Sequence, residues 1–152
     1  MSDISNVIFY SIERAIKTYR QFAQRRIRAA GYSITIDQWL TMKTILENPG
    51  LKQQELAERV FKDEASITRI IEILVRERYL TRKIPNEDRR RTVLEVTVAG
   101  KEILEKVGEV ILRNREDALS GVETVDLEAL DGMLRKIIEN CRLPIAAGKG
   151  GK

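Results

Sequence analysis

The segment that most restricts the fold runs from Leu80 to Thr97, where the apolar residues stop recurring every three or four positions and begin to alternate. Leu80 to Ile84 predicts a strand, Pro85 to Arg91 a turn, and Thr92 to Thr97 a returning strand carrying Val93, Leu94 and Val96. Helical spacing governs the chain on both sides. The predicted fold class is therefore mainly α with a small β-hairpin.

Before the hairpin, Ile4, Ile8, Ile12, Ile16, Tyr19, Ala23 and Ile27 predict one long amphipathic helix ending near Gly31. Thr35 can cap a second helix carrying Trp39, Leu40, Met42, Ile45 and Leu46, which ends at Asn48-Pro49-Gly50. A short third helix covers roughly Gln53 to Val60. Asp63 can cap a fourth, in which Ile67, Ile70, Ile71 and Leu74 form the buried stripe, with Ser66, Thr68, Arg69, Glu72 and Arg76 outward. Two short helices joined by a tight turn, the second polar on its free face, outline a helix-turn-helix, and the hairpin would be its wing. After it, Thr97 is the expected N-cap of a long fifth helix. Asp126 is expected to introduce the last helix, whose stripe includes Leu134, Ile137, Ile138 and Cys141. The tail beyond Pro144 has no apolar pattern and is expected to be mobile.

At 152 residues the chain suits one domain, 1–143, with a flexible tail, 144–152. Within it, 35–100 would be the winged helix-turn-helix and 1–32 with 102–143 dimerisation helices. The terminal helices carry more apolar surface than the central module can cover, and a second copy of the chain is the simplest cover. The net charge is +4. Basic residues gather in the first helix and around the hairpin, whereas the last third is mildly acidic, so a polyanionic partner is allowed but not required.

Cys141 is the only cysteine and there is no histidine, which excludes an internal disulfide framework and the usual zinc sites. Neither a metal nor a cofactor is expected, and no membrane association: no apolar run approaches the roughly 20 residues needed to span a bilayer. A reducing cytoplasm is the expected location. No phosphate loop, nucleophile elbow or histidine base marks a catalytic site. Glu102, Glu105 and Glu109 follow helical spacing and read as a solvated face. Cys141 reads as part of the last helix's apolar stripe rather than as a reactive thiol.

Three consecutive arginines, Arg89, Arg90 and Arg91, stand at the predicted hairpin tip behind Asp88. Arginine is charged at every relevant pH and fits a narrow minor groove. Arg90 can enter that groove while Arg89 and Arg91 reach phosphates or Asp88, which would hold the tip rigid. A solvated charged turn is the other reading of the run.

The sequence resembles the MarR family of winged-helix transcriptional regulators in Gln53-Gln54-Glu55-Leu56-Ala57-Glu58-Arg59, Ser66-Ile67-Thr68-Arg69-Ile70-Ile71-Glu72-Ile73-Leu74, Asn86-Glu87-Asp88-Arg89-Arg90-Arg91 and Val96-Thr97-Val98-Ala99-Gly100. The resemblance implies a cytoplasmic homodimeric regulator, a repressor released by a small ligand, that binds a pseudo-palindromic operator in double-stranded DNA. Carried over by residue, Ser66, Thr68 and Arg69 face the DNA, and Asp88 and Arg90 match the wing's Asp-x-Arg signature. It further implies a cleft for small aromatic or amphiphilic ligands, with Tyr19, Phe22, Trp39 and Met42 as candidate lining and Arg20 or Arg26 as partner for a carboxylate. Filling the core is the other role open to those aromatics. Lys52, Arg78 and Ile73 depart from the family pattern, Arg78 by replacing a glycine ahead of the wing, where a left-handed backbone is often needed. The rival class is a non-catalytic helical dimer using the winged fold for protein contact.

Overall fold

The computed structural model describes residues 4–84 and 92–144, with side chains from Val7 onward. The elements run α1 (Ile4–Ala29), α2 (Ile36–Glu47), α3 (Gln53–Arg59), α4 (Glu64–Arg76), β1 (Leu80–Lys83), β2 (Val93–Val96), α5 (Val98–Ala118) and α6 (Thr124–Arg142). They form two compact units, one ending at Ala118 and the other beginning at Leu119.

Caps explain most of the helix starts. Thr35 and Gln38 form a reciprocal capping box at α2, each side chain bonding the other's backbone amide at 3.1 Å. Asp63 accepts from the Ser66 amide at 2.7 Å and so starts α4. Lys52 precedes α3 without a side-chain cap. The Thr97 hydroxyl accepts from the Gly100 amide at 3.0 Å and donates to the Arg78 carbonyl at 2.7 Å, starting α5 and tying it to the end of α4. For α6 the expectation is corrected: the helix begins at Thr124, after Glu123, and Asp126 lies within its first turn, where a carboxylate favours the helix's positive end.

β1 and β2 pair antiparallel, Leu80 opposite Val96 and Lys83 opposite Val93. Both are shorter than predicted, since Ile84, Thr92 and Thr97 fall outside the paired ladder. The predicted tip, Pro85 to Arg91, lies outside the described residues. In the first unit one core gathers Met42 from α2, Leu56 from α3, Ile67, Ile71 and Leu74 from α4, Leu80 from β1, and Leu104 and Val107 from α5. This core covers only the C-terminal part of α1, where Ala23 and Ile27 are buried, while Val7, Ile8, Phe9 and Tyr10 each remain about half exposed or more. In the second unit none of the residues of α6 is buried, and Val125, Leu130, Met133 and Ile138 are exposed. Cys141, expected to continue a buried stripe, is exposed too, on a helix with no buried residue.

Three helices end in the same way. After α1, α3 and α4 the amide of the third residue past the helix bonds back five residues, Tyr32 to Ile27 at 3.2 Å, Lys62 to Ala57 at 2.9 Å and Tyr79 to Leu74 at 2.9 Å. This closure needs a left-handed residue just before the returning amide. Gly31 supplies it after α1 at φ +94°, but Phe61 at φ +60° and Arg78 at φ +64° supply it after α3 and α4. The strain foreseen at Arg78 is therefore present. A residue with a Cβ loses roughly 1–2 kcal/mol in that conformation, and glycine gives back about 0.5–1 kcal/mol through the freedom it has when unfolded.

Phe61→Gly and Arg78→Gly should each raise stability by about 0.5–1 kcal/mol in urea denaturation, and their effects should add. Gly100→Ala should act in the opposite sense. A Cβ at Gly100 would fall 2.4 Å from the Tyr79 carbonyl oxygen and 2.7 Å from Val96 Cγ1, so the joint between α5 and the hairpin must open. A loss of about 2–3 kcal/mol in the same assay is the expected outcome.

Candidate nucleic-acid interface

The inner face of α4 is fixed by Ile67, Ile71 and Leu74, which leaves its outer face facing away from the core in one orientation. Arg69 is exposed there and makes no ion pair among the described residues, while Ser66 and Thr68 are half-buried. The Thr68 hydroxyl donates to the Glu64 carbonyl at 2.8 Å and accepts from Gln53 Nε2 at 2.6 Å. Its single proton is thus committed, and only an acceptor position remains. Opposite a major groove such a group can take a hydrogen bond from an adenine or cytosine amino group, but cannot give one. Gln53 was not among the residues singled out in the sequence, yet it pins the start of α3 to the outer face of α4.

Hydrogen bonds from Ser66, the backbone amide foremost, hold the Asp63 carboxyl below its ordinary pKa, with smaller help from the charges of Arg69 and Lys62. At the root of the hairpin Lys83 pairs with Glu95 at 2.6 Å. Asp88, Arg89, Arg90 and Arg91 lie outside the described residues.

Next to the start of α4 lies a junction that the sequence did not announce. Asp37, in the first turn of α2, accepts from Arg20 of α1 through Oδ1 and pairs through Oδ2 with Lys62 Nζ at 3.0 Å. Lys62 belongs to the turn between α3 and α4, so one carboxylate joins three elements. The Asp37 side chain is 25% exposed. Burial pushes its pKa up, but the bonds and charges of Lys62 and Arg20 outweigh that and hold it below the ordinary carboxylate value.

Of the four candidate ligand residues, the structure brings two together. Tyr19 and Phe22 line a cleft of about 600 Å³ with Arg14, Arg25 and Asp117. Trp39 and Met42 do not line this cleft: Trp39 donates from Nε1 to the Leu104 carbonyl at 3.1 Å, and Met42 is 0% exposed in the core. Arg20 and Arg26, expected to face a ligand carboxylate, are paired with Asp37 and Asp117. The guanidinium groups of the cleft that make no ion pair among the described residues are Arg14, stacked 5.7 Å from the Tyr10 ring centroid, and Arg25. Glu102, Glu105 and Glu109 are exposed, as a solvated face requires. Among the described residues there is no group of side chains suited to a metal ion, and no helix is long and apolar enough to cross a membrane.

The two lowered carboxylates fix the sign of an acid response. Asp37 and Asp63 contribute stability that is complete above the pKa they have when unfolded and is lost as pH falls through their lower folded values. Denaturation midpoints measured from pH 7 down to pH 3 should therefore fall, and Asp37→Asn should flatten that fall while lowering the midpoint at pH 7.

Residues 34–92 match the model of the MarR family. A protein of Thauera aromatica described as regulating transcription of the hcr operon is 27% identical over 122 residues, which is 80% of this chain and 72% of that one. Among solved structures, that of MarR is 25% identical with a TM-score of 0.69, covering 88% of this chain and 96% of its own. The structure of Bordetella bronchiseptica BpsR, whose DNA binding is regulated by 6-hydroxynicotinic acid, is 17% identical with a TM-score of 0.80, covering 91% and 98%. The matched segment holds the helix-turn-helix and the first strand of the hairpin, and the likeness in fold extends over the flanking helices. Over residues 34–92 the chain carries the MarR-family pattern, and in sequence and fold it is similar to winged-helix transcriptional regulators of that family.

Proposed function

We propose that the protein is a homodimeric, sequence-specific repressor acting on double-stranded DNA in the cytoplasm, non-catalytic, and released by a small aromatic or amphiphilic acid. The observation that carries this reading is the outer face of α4, where an unpaired Arg69 stands beside Ser66 and Thr68 on a helix whose inner face is locked into the core. Residues 35–100 act as the reader and 1–32 with 102–143 as the dimerisation helices. The uncovered apolar residues of α1 and α6 support that division. Each α4 enters a major groove, the two about 34 Å apart on one face of the duplex, and Arg90 at each wing reaches the adjoining minor groove. Arg89 and Arg91 contact phosphates or Asp88.

Tyr19 and Phe22, with Arg14 and Arg25 beside them, form an amphipathic cleft of the chemistry an aromatic carboxylate needs. A ligand there acts by its differential affinity for two settings of the readers. That BpsR responds to 6-hydroxynicotinic acid makes aromatic acids the first class to try.

Selection of bound duplexes from a random pool should enrich a two-fold symmetric site. Arg69→Ala and Arg90→Ala should each weaken binding to that site by about 1–3 kcal/mol, and affinity should fall steeply with salt. Weak binding without a motif, indifferent to both substitutions, would favour the winged fold as a protein-contact surface instead. Benzoate or 6-hydroxynicotinate should lower the affinity of the wild type for its selected site, and Arg25→Gln should blunt that response.

A further inference from the structure

The ion-pair junction at Asp37 has a geometry unlike the other salt bridges among the described residues. Four of those join residues three or four apart on one helix, Lys83–Glu95 ties the two strands of the hairpin, and Arg26–Asp117 joins α1 to α5. Asp37 alone divides its two oxygens between two cations on different elements, Arg20 on α1 and Lys62 in the turn that sets the start of α4.

The junction is reinforced on both sides. Next to it the Gln24 amide of α1 donates to the Ile34 carbonyl at 3.2 Å and accepts from the Ile36 amide at 3.0 Å, so the start of α2 is fastened to α1. On the other side Lys62 is the residue whose amide closes α3 back onto Ala57, and its neighbour Phe61 holds the left-handed conformation that this closure requires. The same turn leaves the Phe61 ring 89% exposed while the lysine next to it pairs with Asp37. Backbone strain is thus spent at the place where the lysine reaches the carboxylate.

We infer that Asp37, through Lys62 and Arg20, is a positioning residue that sets α4 relative to α1, and thereby the spacing at which a dimer reads its two half-sites. The inference rests on the dimeric DNA-reading function proposed above. α1 carries the uncovered apolar surface expected to meet a second copy, and α4 carries the reading face; the Asp37 bridge spans the two. Without it, α4 keeps its core contacts but its angle to α1 is less sharply defined, and a duplex with shifted half-sites is penalised less. One added base pair between half-sites moves one of them by about 3.4 Å and roughly 35° around the axis, a change a stiff reader resists and a loose one absorbs.

The sign of this effect separates it from simple electrostatics. Asp37→Asn removes a negative charge and frees Lys62, so a charge argument alone makes every duplex bind more tightly. Positioning makes spacing discrimination worse, whatever happens to overall affinity.

The test uses the full-length protein and the duplex enriched from the random pool, beside copies with one base pair added or removed at the centre. Wild type should prefer the selected spacing at least tenfold. Asp37→Asn and Lys62→Met should each reduce that preference about threefold or more, and the double variant should do no more than either alone. Asp37→Glu, which keeps the charge, should restore most of the preference. Lys62→Met guards against poor folding of the Asp37 variant. An unchanged spacing preference in both single variants, or an equal loss on all three duplexes, overturns the inference and leaves the Asp37 junction as a tie that does not set the spacing. If the wild type enriches no symmetric site, the DNA-reading function itself fails, and this inference falls with it.

Discussion

Burial of one face of α4 is the constraint on which the remaining structure depends. Ile67, Ile71 and Leu74 enter a core to which α2, α3, β1 and α5 each contribute, so the rotation of α4 about its own axis is determined by apolar packing and not by the groups it presents outward. Polar residues on the opposite side are then placed without hydrogen bonds having to hold them. The same packing brings the end of α4 to the hairpin, where the Thr97 hydroxyl and the backbone of Arg78 and Tyr79 join α4, the hairpin and α5 at one point. Gly100 is required there because the Tyr79 carbonyl and the Val96 side chain lie too close for a Cβ.

Much of this was legible in the sequence. The switch from helical to alternating spacing located the hairpin, and the caps at Thr35, Asp63 and Thr97 stand where short-range chemistry puts them. Local signals failed where the deciding partner is distant. Asp37 and Lys62 are ordinary charged residues on their own segments, and nothing near either announces the other. Tyr19 and Phe22 could not be told from Trp39 and Met42, because the helical period shows which residues share a face but not which neighbour covers it. The left-handed turn at Phe61 was hidden for another reason: the usual flag for it is glycine, and here the residue carries a bulky ring. Cys141 shows the reverse error, since it continues an apolar stripe yet stands exposed.

Asn114 illustrates how closely the helices of the first unit are fitted. It is fully buried in α5, donates to the Ala23 carbonyl of α1 at 3.3 Å, and leaves its own Oδ1 without a partner among the described residues. An unsatisfied buried acceptor costs on the order of 1–3 kcal/mol. An apolar residue would avoid that cost but lose the directional tie, so the side chain fixes the register of α1 against α5 at the expense of stability. Register along this contact is what places Arg26 beside Asp117 and shapes the neighbouring cleft.

The two non-glycine residues in left-handed turns have a consequence for how the chain can change. Phe61 and Arg78 bracket α4, and each holds its turn in a conformation that a single substitution would relieve. The protein therefore keeps an untapped margin at two positions flanking its most constrained helix. A lineage or an engineer altering the outer face of α4 toward a new recognition preference could draw on that margin to absorb the destabilisation that such changes usually bring.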